Sequence, residues 1–171
     1  MFRGRDKQSG GHVAIKIVEN FKFSNAEKEV IKRECSILGQ CRHPNIIKFL
    51  GEFKTKSHWY IVTELMEEGD LFGYTRKKEF LEEYEAAIVF RQLVDTIIYV
   101  NRELGVIHRD FKPENVMVVR NKEKDIITKV KLIDFGFGIF KDKLGELPPR
   151  EKYAGTPGFI PPEIYKMEEF D

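Results

Sequence analysis

The segment His108-Arg109-Asp110-Phe111-Lys112-Pro113-Glu114-Asn115 and the tripeptide Asp134-Phe135-Gly136, which starts nineteen residues after Asn115, constrain this chain more than any other feature. Between them lie two apolar runs, Val116 to Val119 and Ile126 to Ile133, separated by the polar turn Arg120-Asn121-Lys122-Glu123-Lys124-Asp125. That pattern reads as a strand hairpin, and a hairpin here delivers Asp134 back toward Asn115. The fold must therefore gather an acid at Asp110, an amide five residues on, and a second acid. Such a set offers one proton acceptor and two oxygen ligands of the kind Mg2+ prefers while it keeps several waters.

A chain of 171 residues with 42% hydrophobic and 33% charged residues can bury a sizeable core as one domain or two small lobes. Twenty-nine basic against 28 acidic residues leave a net charge of +1, so no overall field favours nucleic acid or an anionic membrane. The first residues hold no apolar run of signal-peptide length, and no apolar segment is long enough to span a bilayer. The expectation is an intracellular, cytoplasmic protein. Cys35 and Cys41 have no nearby His partners at metal-ligand spacing, so they read as free buried thiols.

Residues 12 to 18 alternate, with Val13, Ile15 and Ile17 on one face and Ala14, Lys16 and Val18 on the other. This predicts a strand that carries one cation on an apolar face. Ser24-Asn25-Ala26-Glu27 has the form of a capping box, and Val30, Ile37, Leu38 and Cys41 continue at helical spacing toward an end near Gly39 to Cys41. Glu34 falls inside that apolar stripe, where an unpaired carboxylate is costly. Lys16 is the natural partner. Ile46 to Phe53 and Trp59 to Leu65 read as further strands, Glu67-Glu68-Gly69-Asp70 as a connector between lobes, and Ala86, Ala87, Phe90, Leu93, Val94, Ile97 and Ile98 as one long helix ending before Gly105.

Taken singly, these pieces are weak, since a strand lysine is ordinarily solvated and Asp-Phe-Gly is a common turn. Their order carries more weight. Val13-Ala14-Ile15-Lys16, Glu34, the octet around Asp110, Asp134-Phe135-Gly136 and Pro161-Pro162-Glu163 follow one another as in eukaryotic-type protein kinases, which this chain resembles over practically its whole length. Lys112 and Thr156 point to the serine/threonine branch, and residues 153 to 163 look most like the calmodulin-dependent protein kinase group. The resemblance implies a two-lobed α+β fold. A small antiparallel β lobe with one helix would occupy 1–66, and a partial, mainly helical lower lobe 67–171.

It also implies ATP and Mg2+ as cofactors and a protein substrate with a serine or threonine acceptor. By the same resemblance Asp110 is the catalytic base, Lys112 contacts the transferred phosphate, and Thr156 bonds the acid and the lysine. Asn115 and Asp134 hold the metal. Lys16, braced by Glu34, holds the phosphates; Ala14 and Met117 enclose the adenine; Thr63 is the gatekeeper, with Glu64 and Met66 presenting backbone groups. Asp70 reaches the ribose and, with Glu114, reads basic residues before the acceptor. Leu38, Phe49, His108 and Phe135 form an apolar regulatory stack.

Three departures stand out. The chain opens after the position of the glycine-rich loop and stops soon after Pro161-Pro162-Glu163, so the expectation is a kinase domain truncated at both ends, with an apolar face exposed on the lower lobe. No serine or threonine lies between Gly136 and Gly155, so Arg109 is expected to meet a carboxylate such as Glu146 or Glu151, or to stay solvated, rather than grip a phosphate. The alternatives are a pseudokinase or non-catalytic scaffold, argued by the missing loop, and a small-molecule kinase, disfavoured by Thr156-Pro157 and Pro162-Glu163.

Overall fold

The computed structural model describes residues 1–19 and 22–166; the end of the expected lower lobe, 167–171, lies outside them. Strands β1 (Phe2–Arg5), β2 (His12–Glu19), β3 (Phe49–Lys54) and β4 (His58–Glu64) form an antiparallel sheet in the order β1-β2-β4-β3. The alternation read in β2 gives each face its role. Val18 joins Trp59 and Ile61 of β4 beneath helix α1 (Asn25–Gln40), which contributes Ile31 and Cys35. The capping box forms: the Glu27 N–H donates to Ser24 Oγ at 3.3 Å, and the Ser24 N–H donates to the Glu27 carboxylate at 2.8 Å. Two otherwise orphaned donors are thereby satisfied at the helix start.

The strand expected from Ile46 begins instead at Phe49. Ile46 pairs in parallel with Leu132, and the Ile47 N–H donates to Leu132 O at 2.9 Å. Two adjacent isoleucines have left the upper sheet to plug the lower core, where both are buried. After the linker comes a helix the apolar pattern did not announce, α2 (Leu71–Lys78). It is capped by Asp70, whose carboxylate accepts the Gly73 N–H at 2.7 Å, and only Leu71 and Tyr74 are buried.

Helix α3 (Glu83–Ile98) runs on through a π-helical turn, Tyr99–Glu103, to Gly105. Its apolar residues divide between two faces. Val89 and Leu93 enter the core, whereas Phe90, Val94, Ile97 and Ile98 are exposed, Phe90 at 70%. Strand β5 (Val106–Ile107) pairs with β8 (Ile139–Phe140), and β6 (Val116–Asn121) with β7 (Ile126–Leu132), which is the predicted hairpin. Short helices α4 (Pro149–Lys152) and α5 (Pro162–Tyr165) follow. Val116, Val118, Ile127, Val130, Leu132 and Phe135 are all at 1% exposure or less, each worth about 1.5–3 kcal/mol when fully buried. That core fixes the hairpin and hence Asp134. Among the described residues no helix is long and apolar enough to cross a membrane.

Candidate active site

The two anomalies of the upper half resolve each other. Lys16 Nζ, projecting from β2, donates to both Glu34 carboxylate oxygens of α1, at 2.9 and 3.1 Å. Glu34 is 5% exposed. Burial opposes the Lys16 charge, but the Glu34 carboxylate outweighs it and raises the lysine pKa. For Glu34 burial is the larger effect, and it pushes the carboxyl above its usual range despite Lys16, with the nearby Asp134 adding to the rise. The cation is therefore firm and the carboxylate easily protonated.

Lys16 and Glu34 line a cavity of about 400 Å3 together with Ala14, Thr63, Glu64, Met66, Met117 and Asp134. Its volume falls within the range of small-molecule sites. Every residue expected to bind nucleotide is present except Asp70, whose side chain caps α2 while its backbone bridges to Met117. Sequence reasoning did not assign the apolar wall formed by Ile47, Ile61, Leu65 and Ile133. Ile47 reaches it only because Ile46 and Ile47 leave the sheet.

Below the cavity, Asp110 is held from three sides. Its carboxylate accepts Thr156 Oγ1 at 2.5 Å, Asn115 Nδ2 at 2.9 Å and Lys112 Nζ at 2.8 Å. Burial alone would raise its pKa; the bonds from Lys112, Thr156 and Asn115 together outweigh burial and lower it. Lys112 also donates to Thr156 Oγ1 at 2.7 Å, so four expected residues form one closed network. The Asn115 amide nitrogen is spent on Asp110, leaving its oxygen as the group available to a cation. The Ile133 N–H donates to Asn115 O at 2.8 Å, which sets Asp134 beside this network. One Asp134 oxygen accepts the Gly136 N–H at 2.9 Å.

Arg109 and Asp134 have φ of +63° and +56°, a left-handed backbone that costs non-glycine residues of order 1 kcal/mol. His108 stacks edge-on against Phe135 with ring centroids 4.8 Å apart, and burial lowers its pKa, keeping the ring neutral. Leu38 and Phe135 belong to one hydrophobic core, with Phe49 packed against it. Of the two thiols expected to be free and buried, both are free but only Cys35 is buried and Cys41 is partly exposed; burial pushes both up to about 12.

The expectation for Arg109 needs correcting. Its guanidinium donates to backbone carbonyls of Phe137 at 2.7 Å, Glu151 at 2.5 Å and Lys152 at 3.3 Å, and among the described residues no carboxylate is bonded to it. The Glu151 carboxylate instead lies 3.9 Å from Arg33 of α1, and Glu146 pairs with Lys143 at 2.8 Å. A planar fork of donors is well matched to convergent carbonyls, and the two acids are drawn to other cations.

Comparison with known proteins agrees with this geometry. Residues 1–171 match the protein kinase domain. The chain is 34% identical over 167 residues to serine/threonine-protein kinase SIK1 of Mus musculus, a stretch that covers 98% of this chain and 20% of that protein. It is 33% identical over 164 residues to a calcium/calmodulin-dependent protein kinase type II of Caenorhabditis briggsae, covering 96% of this chain and 30% of the relative. It is 34% identical over 172 residues to CBL-interacting serine/threonine-protein kinase 19 of Arabidopsis thaliana, covering 100% and 34% respectively. The chain thus spans between 20% and 34% of the length of these relatives. With the ordered motifs, the Lys16–Glu34 pair and the Asp110 network in place, the chain belongs to the protein kinase domain family.

Proposed function

We propose that this chain carries the catalytic centre of a serine/threonine protein kinase that transfers the terminal phosphoryl group of ATP to a hydroxyl of a protein substrate. The observation that carries this reading is the convergence of a buried glutamate, its partly exposed lysine partner and Asp134 on one cavity, beside the Asp110–Asn115–Thr156 network. In it Ala14, Thr63, Glu64, Met66 and Met117 form the adenine and linker side, and Lys16 pairs with the phosphates. The boundary between an upper lobe, 1–66, and a lower lobe, 67–171, passes through the linker.

Asn115 and Asp134 supply only two ligands, and among the described residues no cluster of three or more His, Cys, Asp or Glu is poised for a metal. That donor set fits Mg2+, which is held through one or two protein groups plus phosphates and water. When bound, Mg2+ neutralises charge on the phosphate oxygens. Everything else is positioning by the chain. Asp110, with a lowered pKa, is a weak base at neutral pH, so it orients the acceptor hydroxyl and takes its proton late, once bonding to phosphorus has made that proton acidic. Lys112 and Thr156 hold the carboxylate in line.

Asp70, with one oxygen spent on α2, and the exposed Glu114 are the acids offered to the ribose and to basic residues before the acceptor. The free thiols and the requirement for ATP fit a cytoplasmic setting. The test is thermal stability with Mg-ATP. At a hundredfold excess over the dissociation constant the ligand stabilises the fold by ~2.7 kcal/mol, and Asp134→Asn removes that gain. Stabilisation that ignores Mg2+ and survives the substitution would overturn the reading.

A further inference from the structure

The turn between β3 and β4 presents a hydroxyl for which the cleft has no use. The Thr55 N–H donates to His58 O at 2.8 Å and closes the turn, and the His58 N–H donates back to Thr55 Oγ1 at 2.9 Å. Lys56 and Ser57 stand exposed at the tip, with Ser57 Oγ 2.8 Å from His58 Nδ1. The other serines are placed differently. The Ser9 and Ser24 hydroxyls are each bound to a carboxylate at 2.7 Å, those of Asp6 and Glu27, and Ser36 sits inside helix α1. Ser57 also has Lys54 three residues before it and Lys56 one before it.

At the foot of the turn Lys54 stands opposite Trp59 in the β3–β4 register, its Nζ 3.7 Å from the centre of the indole ring and 3.3 Å from the Glu52 carboxylate. The Trp59 Nε1–H donates to the other Glu52 oxygen at 2.7 Å. Trp59, the single tryptophan, is 3% exposed and packs with Ile31 and Cys35 of α1, the helix that carries Glu34. The turn tip is therefore one lysine away from the seat of that helix. It is also far from the cleft. Strand β4 is paired on both sides, with β2 and β3, and its seven residues, at about 3.3 Å each, put Ser57 roughly 20 Å from the linker. A turn on so firmly paired a strand cannot fold back to Asp110 of its own chain.

We infer that Ser57 is a phosphorylation site filled by a second copy of this chain. The inference rests on the proposed phosphoryl transfer. In the acting copy Asp70 and the exposed Glu114 are the acids offered to Lys54 and Lys56 of the other. Ser57 Oγ bonds to the terminal phosphorus of ATP while the bond from that phosphorus to the bridging oxygen breaks. ADP leaves with that electron pair, and the hydroxyl proton passes to Asp110 of the acting copy. The new phosphate carries about two negative charges and three strong acceptor oxygens, within one turn of Lys54, Lys56 and His58. It competes with Glu52 and the indole face for Lys54, since an ammonium bonds a phosphate more strongly than an aromatic ring. The phosphate so reaches the edge of the sheet on which α1 rests.

The experiment incubates the full chain with Mg-ATP, alone and with a histone mixture as a general substrate, and maps phosphate by mass spectrometry. Ser57 should be labelled, with an initial rate that rises as the square of protein concentration. An Asp134→Asn copy mixed in should be labelled at Ser57 by its active neighbour. Ser57→Ala should remove that label and leave histone phosphorylation unchanged. Lys54→Ala in the Asp134→Asn acceptor should slow its labelling by roughly threefold, the worth of one exposed ion pair. Labelling should also shift the fluorescence emission of Trp59, and emission that stays fixed while Ser57 fills overturns the link through Lys54. Histone phosphorylation without Ser57 phosphate, label on Ser9, Ser24 or Ser36 in its place, or a rate linear in protein concentration overturns the site and leaves phosphoryl transfer standing. No transfer to either the chain or the histones overturns both.

Discussion

Two buried glutamates on two helices make an instructive pair. Glu34 on α1 and Glu85 on α3 are 5% and 0% exposed, and each meets a lysine, at 2.9 and 2.7 Å. Glu85 also accepts Tyr74 Oη and the Ile127 N–H, both at 2.8 Å. Burial would raise the Glu85 pKa, but Lys78, the Ile127 N–H and Tyr74 outweigh it and lower it. Glu34 has its lysine alone, and burial prevails. A buried acid satisfied from three directions is part of the framework, tying α2, α3 and the hairpin together. An acid satisfied by one partly exposed cation at the edge of a cavity is set up to share that cation with a ligand.

The sharpest way to break this comparison is to remove a partner on each side. Lys16→Met should lower phosphoryl transfer by about a hundredfold or more and cost less stability than the Glu85 change, because Glu34, already raised above its usual range, takes up a proton once its cation is gone; a fold that collapses instead would place Lys16 with the framework. Glu85→Ala should do the reverse. It strands the Ile127 N–H and the Tyr74 hydroxyl in the core, at roughly 3 kcal/mol or more, seen as a fall in melting temperature with activity per folded molecule retained.

Acidification should separate the two without any substitution. Glu34, raised above the usual carboxylate range, takes up its proton first as pH falls, and its charge pairing with Lys16 is lost while Asp110 and Glu85, both lowered, are still ionised. Because the folded state holds that proton more tightly than the unfolded chain, Glu34 protonation does not itself unfold the protein. The Glu85 contribution, present above its unfolded pKa, drains away only as pH drops through its lower folded value. Nucleotide affinity should therefore fade at a higher pH than the circular dichroism signal, and Glu34→Gln should flatten that acid limb. The smallest effect belongs to the exposed Lys143–Glu146 pair: Glu146→Gln should leave the melting temperature within experimental error, as for most surface ion pairs.

Sequence alone carried the Glu34 half of this comparison and missed the Glu85 half. Glu34 stood out because it interrupts an apolar stripe for which an earlier strand offers an odd cation, and the capping box located the helix. Glu85 sits two residues into α3, where acids are ordinary, and its lysine lies on α2, whose eight residues bury only Leu71 and Tyr74. A helix with so little apolar periodicity leaves only its cap to be read, and the cap residue, Asp70, had already been given a ligand-facing role. The hairpin was legible since strands, turn and strands follow in order; the departure of Ile46 and Ile47 from the sheet was not, because it depends on Leu132, far along the chain. The Glu64–Lys131 bond joins residues 67 apart, and no local pattern encodes such a meeting.

The left-handed backbone at Arg109 and Asp134 carries one more consequence. Glycine or asparagine would sit at position 134 with less strain, so the aspartate is a concession of stability at that point. For a chain that merely needed to keep its shape, mutation would drift toward the more comfortable residues there. Purified Asp134→Asn protein, assayed without ligand, should accordingly melt no lower than its parent, so that the acid at this position adds nothing to the stability of the empty fold.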